Sequence, residues 1–355
     1  MDGAEAKQNT CSESRIVYCD FLRVFAAFFV VVIHSASPYW NSIDVNSTKW
    51  FILNCYDGTA RWAVPVFVMI SGTLLLRRDV SVKRLFRHNI LHLLSAFLFW
   101  AVVYCIFYRR TPPDLFYYLL VGNHHMWYIS MTIGLYICLP IVKKISESIP
   151  VCVYYLILWF VFAFLVPHIL LLTSFSGSDT LHTIRAGIQT QMDNMSLDFI
   201  LGFVGYFILG FYLSNLQLQK KAQHMIYFLG VIGFFLTIAY TAYFSTYLQT
   251  PFGDFYSNFS LNVLMESVAV YTFFQYNIKC TNKLKNVFAW ISKHCFGIYL
   301  VHALVLDMID LGFGLNTLSF HPLLSVPVVS GLVFALSLLF TWLFSKIPFV
   351  SRYCI

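Results

Sequence analysis

Apolar positions dominate this chain in long runs, and short polar or basic segments separate them. Ten runs approach the roughly 20 residues that a helix needs to cross hydrocarbon. They cover 16–37, 51–76, 89–108, 126–145, 151–172, 198–216, 224–248, 259–278, 288–310 and 322–345. No stretch between them is long enough to form a second domain. The pattern predicts an all-α, polytopic membrane protein of about ten transmembrane helices, with one transmembrane domain over 16–345 and short tails at 1–15 and 346–355. The first tail carries Asp2, Glu5 and Glu13 and lacks the basic-then-apolar order of a signal peptide, so the first span is expected to be retained.

Composition agrees with the pattern. Hydrophobic residues make up 59% of the chain and charged residues only 11%, whereas about a quarter of positions are charged in soluble domains. The net charge of +7 raises the question of nucleic acid, but the basic residues are scattered between apolar runs and form no basic face, so no nucleic-acid partner is expected. Their distribution speaks instead to orientation. Only Lys49, Arg109, Arg110 and Arg185 fall on one set of alternate loops, while Arg23, Arg61 and Lys293 fall within spans and the rest gather on the opposite side. The positive-inside rule then puts both termini in the cytoplasm and His34 near the outer surface.

The nine cysteines show no CxxC or Cys/His spacing, so neither a disulfide framework nor a metal site is expected, and those within spans read as small apolar fillers. Three N-x-S/T sequons, at Asn46, Asn194 and Asn258, all fall on the expected outer loops.

What remains is the handful of residues that span a membrane badly. Arg23, Arg61, Lys293, Asp20 and Glu266 each cost about 2.5–3.5 kcal/mol at mid-membrane on insertion scales, so each is expected to face a partner or a wet cavity. Three of the polar residues lie in one helix, "DFLRVFAAFFVVVIHSA". From Arg23 to His34 the helix turns about 1100°, close to three full turns, and climbs about 16 Å. Both side chains therefore look out from one face. Asp20, three residues before Arg23, is spaced to meet it. Glu266 is expected about 10 Å into its span, level with His34, His302 or Arg61 as alternative partners.

These residues recur in a known pattern. Arg23 and His34 stand with ten residues between them in "YCDFLRVFAAFFVVVIHSASPYW"; "RWAVPVFVMISGTLLL" follows, then "KRLFRHNIL" with Arg84 and Arg87. Further on, "HHMWYISMTIGLYICLPIV" holds His125 and Trp127, and "ISKHCFGIYLVHALVL" holds Gly297, Tyr299 and His302. In this order, from about 15 to 345, the chain resembles the acyltransferase-3 family of integral-membrane O-acyltransferases. The likeness is closest to the short bacterial members that acetylate surface polysaccharide.

The resemblance implies transfer of an acetyl or related acyl group from cytoplasmic acetyl-CoA, a co-substrate and not a permanently bound cofactor, to a hydroxyl of a surface or lipid-linked glycan. It also implies a bacterial plasma-membrane location. The chemistry needs a base for the hydroxyl proton, and a histidine near its ordinary pKa suits that task. His34 is the expected base, with Glu266 and His302 as candidate catalytic partners. Arg84 and Arg87 offer forked donors suited to the donor's phosphates, whereas Lys83, Arg77 and Arg78 read as topology determinants. Arg23 either contacts the donor arm or pairs with Asp20. His125, Trp127, Arg61 and Tyr299 are candidate substrate contacts. Outer-loop residues such as Tyr39, Trp40, His124 and Asp193 suit sugar, but their aromatics equally suit an interfacial belt. Ser71 and Gly72 read as a close helix-packing step. The rival reading is a proton-coupled transporter, against which the sequence shows no internal repeat and no matched pair of broken helices.

Overall fold

A computed structural model gives the fold and describes residues 16–78, 81–112, 114–197 and 201–355. The tail expected over 1–15 lies outside the described residues, as does the start of the sixth expected span. Every regular element described is helical. In chain order these are α1 Val17–Trp40, α2 Thr48–Gly58, α3 Ala63–Leu75, α4 Val82–Phe107, α5 Asp114–Val121, α6 Trp127–Ser146, α7 Ile149–Thr173 and α8 Asp179–Met195. There follow α9 Val204–Asn215, α10 Lys220–Leu248, α11 Leu261–Asn277, α12 Asn282–Phe313, α13 Pro322–Phe344 and α14 Pro348–Tyr353.

All ten expected spans correspond to helices, but only eight helical segments among the described residues are long and apolar enough to cross a membrane. The other two are α9, with 12 residues, and α11, with 17. At about 1.5 Å per residue both fall short of a hydrocarbon core roughly 30 Å thick. Their surroundings account for this. Both pack against other helices, and a helix end that meets protein can satisfy its polar groups there, unlike one that meets lipid. A Cβ on Gly72 of α3 would lie 1.8 Å from the Phe207 carbonyl oxygen of α9, and one on Gly210 would lie 2.0 Å from the Met69 carbonyl oxygen. Thr73 completes the contact, with its hydroxyl 3.0 Å from the Gly210 carbonyl and 2.6 Å from the Tyr271 hydroxyl of α11. The packing step expected at Gly72 is therefore present and joins α3, α9 and α11.

Three further departures from the sequence pattern matter for the site. The second span is broken into α2 and α3, and Arg61 and Trp62 lie in the break, where the Trp62 ring nitrogen donates to the Thr59 carbonyl at 2.9 Å. Arg84 and Arg87, expected in a loop, lie on the first turns of α4, which begins at Val82 and takes a π-helical form over Leu85–Ile90. The outer loop expected around 173–197 folds largely as α8, whose 17 residues are all at least partly exposed.

The ends of the bundle are fixed by contacts across it. At one end the Trp40 ring packs 5.4 Å from that of Tyr256, and Asn46 donates to Gln249 at 3.0 Å. At the other, Arg77 donates to the Ser214 carbonyl at 2.7 Å and Lys143 to the Arg78 carbonyl at 2.6 Å. We refer to these as the histidine end and the basic end. All eight cysteines among the described residues are free, in keeping with their reading as fillers.

Candidate active site

The first helix carries the site's axis. Arg23 and His34 leave α1 on one face, and both meet α12: Arg23 donates to Ser292 Oγ at 3.2 Å, and the His34 ring centroid lies 5.0 Å from that of His302. Small residues line these helices: Ala26 and Ala27 are buried in α1, and Gly297 lets α12 approach α13, since a Cβ there would lie 2.2 Å from the Thr341 side chain. Asp20 is buried near Arg23 at the same level of α1. The seam read from the sequence thus faces protein.

At the histidine end four imidazoles gather. The His34 ring lies 5.2 Å from His124 and 6.1 Å from His125, and the His125 ring lies 5.0 Å from His302. His124 and His125 form a short 3₁₀ turn ahead of α6. Gly122 makes that turn possible, because its φ of +75° suits glycine and a Cβ there would lie 2.9 Å from the Phe97 ring. His125 and His302 are buried, His34 is partly accessible and His124 is exposed, so the cluster grades from the interior to the surface.

The hydrogen-bonding pattern assigns one tautomer. His302 Nδ1 lies 2.6 Å from the Tyr299 carbonyl and 3.2 Å from the Ile298 carbonyl. Carbonyls only accept, so Nδ1 carries the hydrogen and a neutral ring keeps its lone pair on Nε2. That Nε2, and both ring nitrogens of His125, are buried without a hydrogen-bond partner. Buried polar atoms are normally paired, so three such nitrogens in one cluster mark a place where a hydroxylic ligand or water belongs.

Aromatic side chains stand beside this cluster on the way towards Arg23. Tyr299 donates to the His125 carbonyl at 2.5 Å, and its ring lies 5.6 Å from that of Tyr128. Tyr128 and Tyr136 follow on α6. Arg23, Tyr136, Tyr128 and Tyr299 are each partly accessible and mark a polar line between α1, α6 and α12.

Glu266 is placed otherwise than either expected pairing. It is fully buried and accepts a hydrogen bond from Thr237 of α10, and its Oε2 has no hydrogen-bond partner. Among the described residues no imidazole bonds to it, and His302 is oriented by backbone carbonyls instead. Arg61 forms an ion pair with the buried Asp57 one turn earlier and lies 4.1 Å over the Tyr256 ring. Trp127 stands outside the ring cluster and packs 5.7 Å from Phe203, with 41% of its surface exposed.

At the basic end Arg84 and Arg87 are exposed, and among the described residues neither guanidinium has a hydrogen-bond partner. Arg77 differs, being held by Ser214 and Asn215. Sequence reasoning missed three participants. His124 was grouped with the outer-loop aromatics although the doublet His124–His125 signals it. Asp57 escaped notice although its i, i+4 spacing to Arg61 is the spacing of an ion pair. Tyr104, whose ring lies 5.3 Å from that of His125, carried no signal in the pattern.

The fold and these residues define a multi-pass membrane protein with an imidazole cluster at one end of its bundle and exposed guanidinium groups at the other. A family model described as an acyltransferase domain matches residues 16–345, nearly the whole chain, and the protein belongs to this acyltransferase-3 family. It is thus a membrane acyltransferase. Neither a curated protein nor a solved structure matches the chain.

Proposed function

We propose that this protein transfers an acetyl or related short acyl group from cytoplasmic acetyl-CoA to a hydroxyl of a surface or lipid-linked glycan at the outer face of a bacterial plasma membrane. One observation carries the reading. Arg23 and His34 share the α12-facing seam of α1, with unpartnered imidazole nitrogens at its outer end.

The donor is long and anionic at its nucleotide end. Arg84 and Arg87 would hold its phosphates as forked, charge-assisted donors, while Arg23, deeper in the bundle, faces the slender arm that ends in the thioester. The acceptor enters from the other side. His34 takes the hydroxyl proton as the oxygen attacks the thioester carbonyl carbon, the carbon–sulfur bond breaks, and the departing sulfur leaves as thiolate or takes up a proton. If the acyl group passes first to an imidazole, the same unprotonated ring nitrogen serves as nucleophile. His302, with Nε2 free, and His125 stand within one ring of His34 and can share the proton in either route.

The test is the host's own glycan. Mass spectrometry of surface saccharides from cells with and without this protein is expected to show the mass increment of an acetyl group, lost in His34→Ala. Glycans of identical mass in the two strains would overturn the reading.

A further inference from the structure

A cavity at the histidine end, of about 560 Å³, opens between α7, α8 and the segment 250–260. Resting on the proposed transfer to a glycan, we infer that this cavity is a distal acceptor subsite that holds an uncharged, polyhydroxylated stretch of saccharide away from the hydroxyl being acylated.

The lining carries the chemistry. His168, Gln189, Asp193, Asp254 and Ser257 face the cavity beside an apolar wall that includes Phe259. Carboxylates, an amide and a hydroxyl are the groups that bond sugar hydroxyls, and an aromatic ring offers a flat apolar face to the C–H side of a pyranose. Among the described residues no lysine or arginine lines it. An anionic donor such as coenzyme A would therefore meet two carboxylates and no counter-charge here, whereas the exposed guanidiniums of Arg84 and Arg87 stand at the basic end. Gln189 donates to one carboxylate oxygen of Asp193 at 2.8 Å, which holds that carboxylate in place and leaves its other oxygen to accept.

The position also fits. The Phe259 ring lies 5.0 Å from Phe203, and Phe203 lies 5.7 Å from Trp127, two residues beyond His125. This row of aromatic rings runs from the cavity towards the imidazole cluster. On the other flank Tyr256, two residues beyond Asp254, packs on Trp40 at the end of α1 and carries Arg61 on its ring face. A chain of sugars seated in the cavity can thus extend along the aromatic row and present a more remote hydroxyl to His34. Trp127, which stands outside the cluster, then acts on the path and not at the reacting atoms.

The test uses the full chain in bilayers with labelled acetyl-CoA, and short and long size fractions of neutral oligosaccharide released from the host's surface glycan. Gln189→Trp fills the cavity from an exposed position on a helix with no buried residue, so folding is not at stake. Thr190→Trp, turned about 100° away, is the control. Gln189→Trp and the pair Asp193→Asn with Asp254→Asn are expected to raise KM for long acceptors about tenfold, as loss of one or two hydrogen bonds to charged groups would. KM for short acceptors, KM for the donor and kcat should stay unchanged. Equal effects on short and long acceptors, no effect on either, or an unaltered protein that does not distinguish the two fractions would overturn the subsite. Failure of the unaltered protein to acylate any fraction would instead overturn the glycan reading on which it rests.

Discussion

The two ends of this bundle handle polar groups in opposite ways. At the histidine end they are packed ring on ring and grade from the exposed His124 to the buried His125 and His302, with three ring nitrogens left unpartnered. At the basic end Arg84 and Arg87 stand in the open, on the first turns of a helix. Burying an unsatisfied polar atom costs about 1–3 kcal/mol, so three such nitrogens in one cluster set it apart. Exposed guanidiniums cost nothing comparable and are easily adjusted. The difference separates a place built for fixed geometry from a place built for affinity, and each can be broken separately.

The largest effect is expected at the fixed end. His34→Ala should lower acyl transfer by about 10²–10⁴-fold, the usual worth of a positioned acid or base, while the protein still accumulates in membranes. A variant with nearly normal kcat would show that the cluster is structural. Next comes a change that spares both ends and strikes the packing between them. Gly210→Val places side-chain atoms where the Met69 carbonyl already lies 2.0 Å from a bare Cβ, so the protein should lose thermal stability in detergent and be recovered poorly. Normal melting would mean that α3 and α9 are held apart more loosely than these distances imply.

At the open end the effect is smaller and of another kind. Arg84→Ala with Arg87→Ala should raise KM for acetyl-CoA by about ten- to a hundredfold at low salt with kcat little changed, because two charge-assisted contacts are lost without moving the reacting atoms. A fall in kcat at unchanged KM would contradict that division between the ends. The smallest effect is expected at Trp127→Phe, which keeps a ring on the exposed face and should alter transfer to short acceptors less than about threefold, as surface substitutions usually do.

Much of this was legible in the residues. The apolar runs located every span, since length and hydropathy report directly on the cost of exposing backbone in lipid. Arg23 and His34 could be put on one face because helical spacing is fixed. Gly72 could be read as a contact because a missing side chain has few other uses between two apolar helices.

What escaped was settled by neighbours distant in sequence. The shortness of α9 and α11 follows from the helices packed around them, which hydropathy does not see. Glu266 was set against histidines or Arg61 by depth alone, but depth says nothing of azimuth, and Thr237 of α10 meets one of its oxygens. Arg61 was judged by its distance from the membrane surface, while its partner Asp57 lay four residues away in the same chain segment. The four-ring cluster draws on α1, the turn before α6, and α12, so no single stretch displays it.

The central claim is that one imidazole at the end of the α1 seam takes the proton from an acceptor hydroxyl while the acyl group arrives along that seam. The most direct measurement is single-turnover transfer from radiolabelled acetyl-CoA by the purified chain in bilayers with host glycan, comparing the unaltered protein with His34→Ala and Arg23→Ala. The account predicts label on glycan with the unaltered protein, none above background with His34→Ala, and a reduced amount with Arg23→Ala. Equal labelling by all three, or labelled solute crossing the bilayer with no transfer, would contradict it.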